Sequence, residues 1–205
     1  MPTILLIRHA DNDYVKKGRL AGRLSGVHLS EKGYKQAAEV ADKLEEFPIK
    51  GVYSSPLDRA METATPIAQK HSLPIIARLG LTEVDIGEWQ GKKVKGLSRL
   101  RIWRIVQSAP TRMRFPGGET FIEAQYRICQ ELEALAVLHQ PEDVIICVSH
   151  ADPIKLAVSF YLGLPMDLFQ RINISPASIS VLHLGENGSS LLTLNHVFSF
   201  SLPIS

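Results

Sequence analysis

Thr3-Ile4-Leu5-Leu6-Ile7-Arg8-His9-Ala10 begins as an apolar run and turns polar at Arg8. The apolar part reads as a short buried strand. Similar runs recur at Gly51–Tyr53, Leu73–Ala77, Val144–Val148, Ser178–Leu184 and Leu191–Asn195. Segments with helical periodicity separate most of them, and that alternation is the pattern of an α/β domain with a largely parallel sheet. The last two runs are joined by Gly185-Glu186-Asn187-Gly188, a hairpin-like turn, so one edge of the sheet is expected to carry an antiparallel pair. The expected fold is a three-layer sandwich, a central mostly parallel sheet flanked by helices.

Helix starts are also legible. Ser30 is suited to cap a helix over Glu31–Glu45, and Ser55 before Pro56 fits a cap followed by proline at the first helical position. Thr120 with Glu123 three residues on is a capping-box signature. Asp152-Pro153 marks a further helix running to about Leu162.

At 205 residues and 45% hydrophobic content, the chain can bury a full core, and its length suits one domain over 1–205. Pro2–Ile7 is too short for a secretory signal and lacks a basic leader and a cleavage site. No apolar run approaches the roughly 18 residues of a membrane span. Cys129 and Cys147 form neither a metal-binding nor a disulfide framework and read as buried core thiols. These features point to a cytoplasmic protein with free thiols, no membrane contact, no metal and no cofactor. His28, His71, His139, His183 and His196 show no partner pattern and read as structural or exposed.

The unusual polar residues fall at strand ends. Arg8 and His9 follow the first strand, Arg59 comes shortly after the second, Glu83 lies beyond the third, and His150 follows Val144–Val148. In open α/β sheets such ends meet at one crevice, where helix N-termini also face an anion. Two arginines, two histidines and a carboxylate suit phosphoryl transfer. The transfer needs a nucleophile, fixed cations for the equatorial oxygens and a proton source for the leaving group. A neutral His9 can be the nucleophile, and Arg8 and Arg59 offer planar forks to phosphate oxygens. His150 can bond a phosphate oxygen if it is protonated or in the right tautomer. Glu83 can act first as acid and then as base.

Several stretches make this chain similar to the histidine phosphatase (phosphoglycerate mutase-like) superfamily. LLIRHA resembles its Arg-His-Gly signature, and GRLSGVHLSEKGYKQA its Gly-Arg to Gln-Ala stretch. YSSPLDRAMETA resembles the second arginine motif, LTEVDIGEWQG the acid motif, FPGGET the Pro-Gly-Gly-Glu-Ser element and VSHADPIKL the second-histidine motif. The order and spacing match from Thr3 to about Gly163. The resemblance implies phosphate monoester hydrolysis through phospho-His9, with a small-molecule phosphate monoester as substrate and no metal. Asn12, Arg23, Ser55 and Ala151 are candidate second-line contacts. Ala10 and Ala151 replace glycines common after each histidine, and Val15 stands where mutases often present an asparagine. Val15 and the short chain weigh against the alternative of a cofactor-dependent phosphoglycerate mutase. A silent phospholigand-binding regulatory protein is the alternative from another class, and the intact nucleophile and acid argue against it.

Net charge is only +2, yet Lys92 to Arg114 holds eight basic residues and no acidic one. The rest of the chain keeps 15 of the 23 basic residues against 21 acidic ones, so the positive charge is concentrated. Leu97, Leu100, Trp103 and Val106 recur there at helical spacing, as they would on a solvated amphipathic helix. A nucleic-acid patch is a further reading. The resemblance favours a lid over about 90–118, with Arg99, Arg101 and Arg104 touching substrate and no nucleic acid involved. The apolar tail His196–Ile204 packs either on its own domain or on a second subunit, which would make a homodimer.

Overall fold

The computed structural model describes residues 2–185 and 188–198. Its sheet has six strands: β1 (Thr3–Arg8), β2 (Ile49–Ser54), β3 (Ile75–Ala77), β4 (Val144–Ser149), β5 (Ile179–Gly185) and β6 (Gly188–His196). Their order is β3-β2-β4-β1-β5-β6. The pairs β3/β2, β2/β4 and β4/β1 are parallel, whereas β5 runs antiparallel to both β1 and β6. The expected edge pair is therefore present, and the tip of its turn, Glu186-Asn187, lies outside the described residues. So does the expected tail beyond Phe198. All six expected strands form. β2 is longer than the apolar run predicted, and β3 shorter, beginning at Ile75.

Among the described residues, seven α-helices accompany the sheet: α1 (Asp13–Lys16), α2 (Glu31–Leu44), α3 (Asp58–Lys70), α4 (Val94–Leu97), α5 (Arg101–Ser108), α6 (Phe121–Val137) and α7 (Ala151–Tyr161). Side chains alternate along β1: Leu5 and Ile7 join one core with α2 and α3, including Val40, Leu44, Ala64 and Ile67. Ile4 and Leu6 face the other core with α6 and α7, including Ile128, Leu132, Ile154 and Leu156. Both faces are covered, which is why β1 and β4 read as unbroken apolar runs instead of alternating ones. Each such Leu or Ile, fully buried, contributes about 1.5–3 kcal/mol of transfer free energy.

Ser30 accepts a bond from the Gly33 N–H at 3.1 Å, and the capping box of Thr120 and Glu123 is complete. Ser55 does not cap α3. That helix begins at Asp58, with Leu57 at its N-cap and no side-chain cap bond, because Ser55 is turned into the interior. α7 starts one residue before Asp152, with His150 itself at the N-cap.

Candidate active site

The carboxyl ends of β1, β2 and β4 are neighbours on one side of the sheet, and backbone bonds extend their pairing into the site. The His9 N–H donates to the Ser149 carbonyl at 2.9 Å, and the Ser55 N–H to the Val148 carbonyl at 2.9 Å. The loop after β3 is tied in by the Ser149 hydroxyl, which donates to the Leu81 carbonyl at 2.8 Å. Together they border a cleft of about 200 Å³ whose walls include Arg8, His9, Asn12, Arg59, Glu83 and Asp152.

His9 is buried, and its Nδ1 lies 2.8 Å from the Ala10 carbonyl oxygen. A carbonyl only accepts, so this contact assigns the proton to Nδ1 and leaves the lone pair on Nε2. Burial, then Arg59 and Arg8, hold the imidazole pKa well below its ordinary value. His150 takes the opposite tautomer. Arg59 Nη2, which can only donate, sits 3.2 Å from its Nδ1, so Nε2 carries the proton and donates to the Ser55 hydroxyl at 2.8 Å. Burial and then Arg59 depress its pKa too. Two neutral imidazoles thus stand with ring centroids 5.1 Å apart.

Arg59 is only 1% exposed. Besides His150, its Nη2 donates to the Gly22 carbonyl at 2.7 Å. Arg8 Nη1 donates to the Ile174 carbonyl at 2.6 Å. Arg59 Nε and Nη1 and Arg8 Nε are buried without a protein partner among the described residues. An unpartnered buried donor on a cation is costly, and such groups commonly mark a ligand position.

Glu83 titrates high. Burial, reinforced by Asp152 and opposed by Arg59 and Arg8, raises its carboxyl to about 7. The Val84 N–H donates to its Oε1 at 2.9 Å. A carboxyl that is protonated up to neutral pH beside a neutral imidazole can give a proton to a leaving group and later recover one from water.

The other predicted residues fall into four groups. Asn12 and Ala151 line the cleft, and the Asn12 side-chain oxygen also caps α1 by accepting from the Tyr14 and Val15 N–H groups. Ser55 holds His150 from behind. Arg23 is not on the cleft wall, since its guanidinium donates to the Glu83 carbonyl at 2.8 Å and to Glu119 at 2.9 Å. Arg99, Arg101 and Arg104 are exposed on and beside α5, and none borders the cleft.

Sequence reasoning passed over Arg19 and Asp152, both of which line the cleft. Gly-Arg-Leu occurs twice, at 18–20 and 22–24, and only the arginine of the first copy reaches the wall. The repeat was a signal that two arginines compete for the role. Asp152 stands two residues after His150 in the first turn of α7, a placement that could have marked it.

Fold and site define a class: the chain belongs to the histidine phosphatase superfamily (branch 1), whose family profile matches residues 4–197. Among its relatives is phosphoserine phosphatase 1 of Hydrogenobacter thermophilus, 32% identical over 95% of this chain and 92% of that protein. Another is the 2,3-bisphosphoglycerate-dependent phosphoglycerate mutase of Thermoplasma acidophilum, 30% identical over 89% of this chain and 87% of the relative. In three dimensions the chain is similar to Bacillus stearothermophilus YhfR, with a TM-score of 0.90 at 22% identity, covering 96% of this chain and 98% of that one. This last likeness concerns the fold.

Proposed function

We propose that this histidine phosphatase hydrolyses small phosphate monoesters in two in-line steps through phospho-His9. The observation that carries the reading is the set of buried donors without protein partners on Arg8 and Arg59, beside an imidazole whose Nε2 lone pair is free. In the first step His9 Nε2 attacks phosphorus, the ester P–O bond breaks, and the leaving alkoxide takes the proton of Glu83. Arg8 and Arg59 hold the equatorial oxygens, and the Ala10 carbonyl stabilises the Nδ1–H of the phosphorylated ring. Water then attacks phosphorus, Glu83 takes its proton, and the P–N bond breaks to release phosphate and neutral His9. His150, behind the lining of the cleft, keeps Arg59 Nη2 in place by accepting from it at Nδ1.

Hydrolysis is favoured over mutase transfer because Val15 borders the cleft where an amide donor would grip a second phosphate group. At the mouth, we assign recognition of additional negative charge to Arg19 in place of Arg99, Arg101 and Arg104. The cations of the basic segment stand off the wall, which the segment meets through backbone bonds from the Leu20 N–H to the Lys92 carbonyl and from the Val94 N–H to the Gly18 carbonyl, and through apolar side chains. Chain 1–205 is read as one domain, acting in the cytoplasm without metal, cofactor or nucleic acid, as monomer or homodimer. No helix among the described residues is long and apolar enough to cross a membrane. No cluster of three or more His, Cys, Asp or Glu side chains among them is arranged to hold a metal ion.

The test is turnover of an aryl phosphate by chelator-treated protein. The parent is expected to keep its rate, and His9→Ala to lose several orders of magnitude because it removes the imidazole that attacks phosphorus. Metal-restored activity, or a His9→Ala variant of near-parent rate, would contradict the reading. Phosphate exchange between glycerate positions with 2,3-bisphosphoglycerate, outrunning hydrolysis, would favour the mutase.

A further inference from the structure

Glu83 lies on an irregular loop, not on a strand or helix, yet an acid has to sit within hydrogen-bond reach of the leaving oxygen. Three charged side chains surround that loop. Arg127 Nη1 donates to the Gly80 carbonyl at 2.8 Å and to the Thr82 carbonyl at 2.9 Å. Arg23 Nε donates to the Glu83 carbonyl at 2.8 Å, and Arg127 Nη2 to the same oxygen at 3.3 Å. Glu119 Oε1 then accepts from Arg23 at 2.9 Å, from Arg127 at 2.7 Å and from the Asp85 N–H at 2.9 Å. Backbone groups on both sides of Glu83 are therefore gripped, and one carboxylate binds the two grips together.

The loop that delivers Glu119 is built for close approach. The Glu119 N–H donates to the Asp85 carbonyl, and the Glu88 N–H to the Pro116 carbonyl, each at 2.9 Å. A side chain at Gly118 would collide with the Asp85 carbonyl oxygen, and one at Gly87 with that of Pro116. Pro116-Gly117-Gly118-Glu119 thus lies against residues 85–88 because glycine leaves the space.

We infer that Glu119, with Arg23 and Arg127, forms a clamp that positions Glu83 for proton transfer, making all three positioning residues for the acid step. This rests on the reading of Glu83 as the acid. The clamp touches backbone around Glu83 and not the walls that meet the phosphoryl group. Losing it displaces the acid and leaves His9, Arg8 and Arg59 in place. A misplacement of about 1 Å can cost on the order of 100-fold in rate.

The experiment measures single-turnover phosphorylation of the enzyme by an alkyl phosphate and by p-nitrophenyl phosphate, normalised to active sites by burst titration. Parent, Glu83→Gln, Glu119→Gln, Arg127→Lys and the double variant Glu83→Gln/Glu119→Gln are compared. Glu119→Gln and Arg127→Lys are expected to slow the alkyl reaction about tenfold or more and the aryl reaction less than about threefold, since a good leaving group needs no proton. The double variant is expected to match Glu83→Gln, as residues acting through one group do. Arg127→Lys keeps the charge and loses only the fork, so it decides the matter if Glu119→Gln fails to fold. Equal slowing of both substrates by the clamp variants, with Glu83→Gln still selective, overturns the clamp and spares the acid. Multiplicative loss in the double variant also overturns it. An unselective Glu83→Gln overturns the acid assignment and the clamp with it.

Discussion

At Glu83, burial and Asp152 push the proton affinity up while Arg59 and Arg8 pull it down, and burial prevails. The sign of the pH dependence follows. Phosphorylation of His9 by alkyl esters needs Glu83 protonated, so kcat/KM for such substrates is expected to fall above pH about 7. The substrate's own second ionisation near pH 6 has to be divided out. Glu83→Gln should abolish that limb and slow alkyl esters far more than aryl ones. An unchanged limb would pass the acid role to Asp152 or Asp85. Stability carries the same signature. The native carboxyl keeps its proton while the unfolded one ionises, so stability falls as pH rises from about 4.5 to about 7, and Glu83→Gln should flatten that slope. His9 adds no acid limb near its ordinary value, because its pKa is held well below it. The positions of Arg8, His9 and His150 were legible in the sequence, because a strand fixes where its next residue points, whereas Arg59 on α3 and Glu83 on its loop reach the cleft through contacts distant in sequence. The tautomers were not, since they depend on Ala10, Ser55 and Arg59 meeting the rings in space.

Among the elements, α6 shows how local sequence and tertiary site connect. Its capping box joins Thr120 to Glu123 through three bonds of 2.7–3.1 Å, and the cap directly follows Glu119. Thr120→Ala should cost about 1 kcal/mol. In a domain of this size that lowers Tm by roughly 2–4 °C, measurable by calorimetry. A loss within error would mean that solvent replaces the cap. Signals confined to a few residues, such as this box and Ser30 before α2, read correctly because they need no partner beyond one helical turn. Ser55-Pro56 carried an equally plain local signal and failed. A bond to His150, 95 residues away in sequence, places its hydroxyl in the interior, and α3 starts three residues later. Arg23 failed likewise: its partner Glu119 is 96 residues distant, and no local pattern reports such a meeting.

Across the whole molecule, the charge map and the cleft do not coincide. The cations of α5 lie away from the cleft, whereas Arg19, though also exposed, stands on its wall and donates to the Gly91 carbonyl at 2.8 Å. Arg19→Gln should therefore raise KM for substrates with an added carboxylate or phosphate several-fold and leave singly charged esters nearly unchanged. A triple change of Arg99, Arg101 and Arg104 to Gln should act weakly and lose its effect in salt, because screening limits exposed charges to about 8 Å at physiological ionic strength. The reverse ranking would restore the lid assignment. The mostly parallel sheet, its antiparallel edge pair and the two covered faces were foreshadowed by the apolar runs; the strand order and the course of the basic segment were not, since exposed charges carry no record of what lies beneath them. The kinetic expectations depend on phosphoryl transfer to His9. Rapid quenching of the enzyme with a radiolabelled phosphate ester is the most direct measurement of it. The account predicts an acid-labile, base-stable label on the peptide bearing His9, absent from His9→Ala; steady hydrolysis with no such label would contradict it.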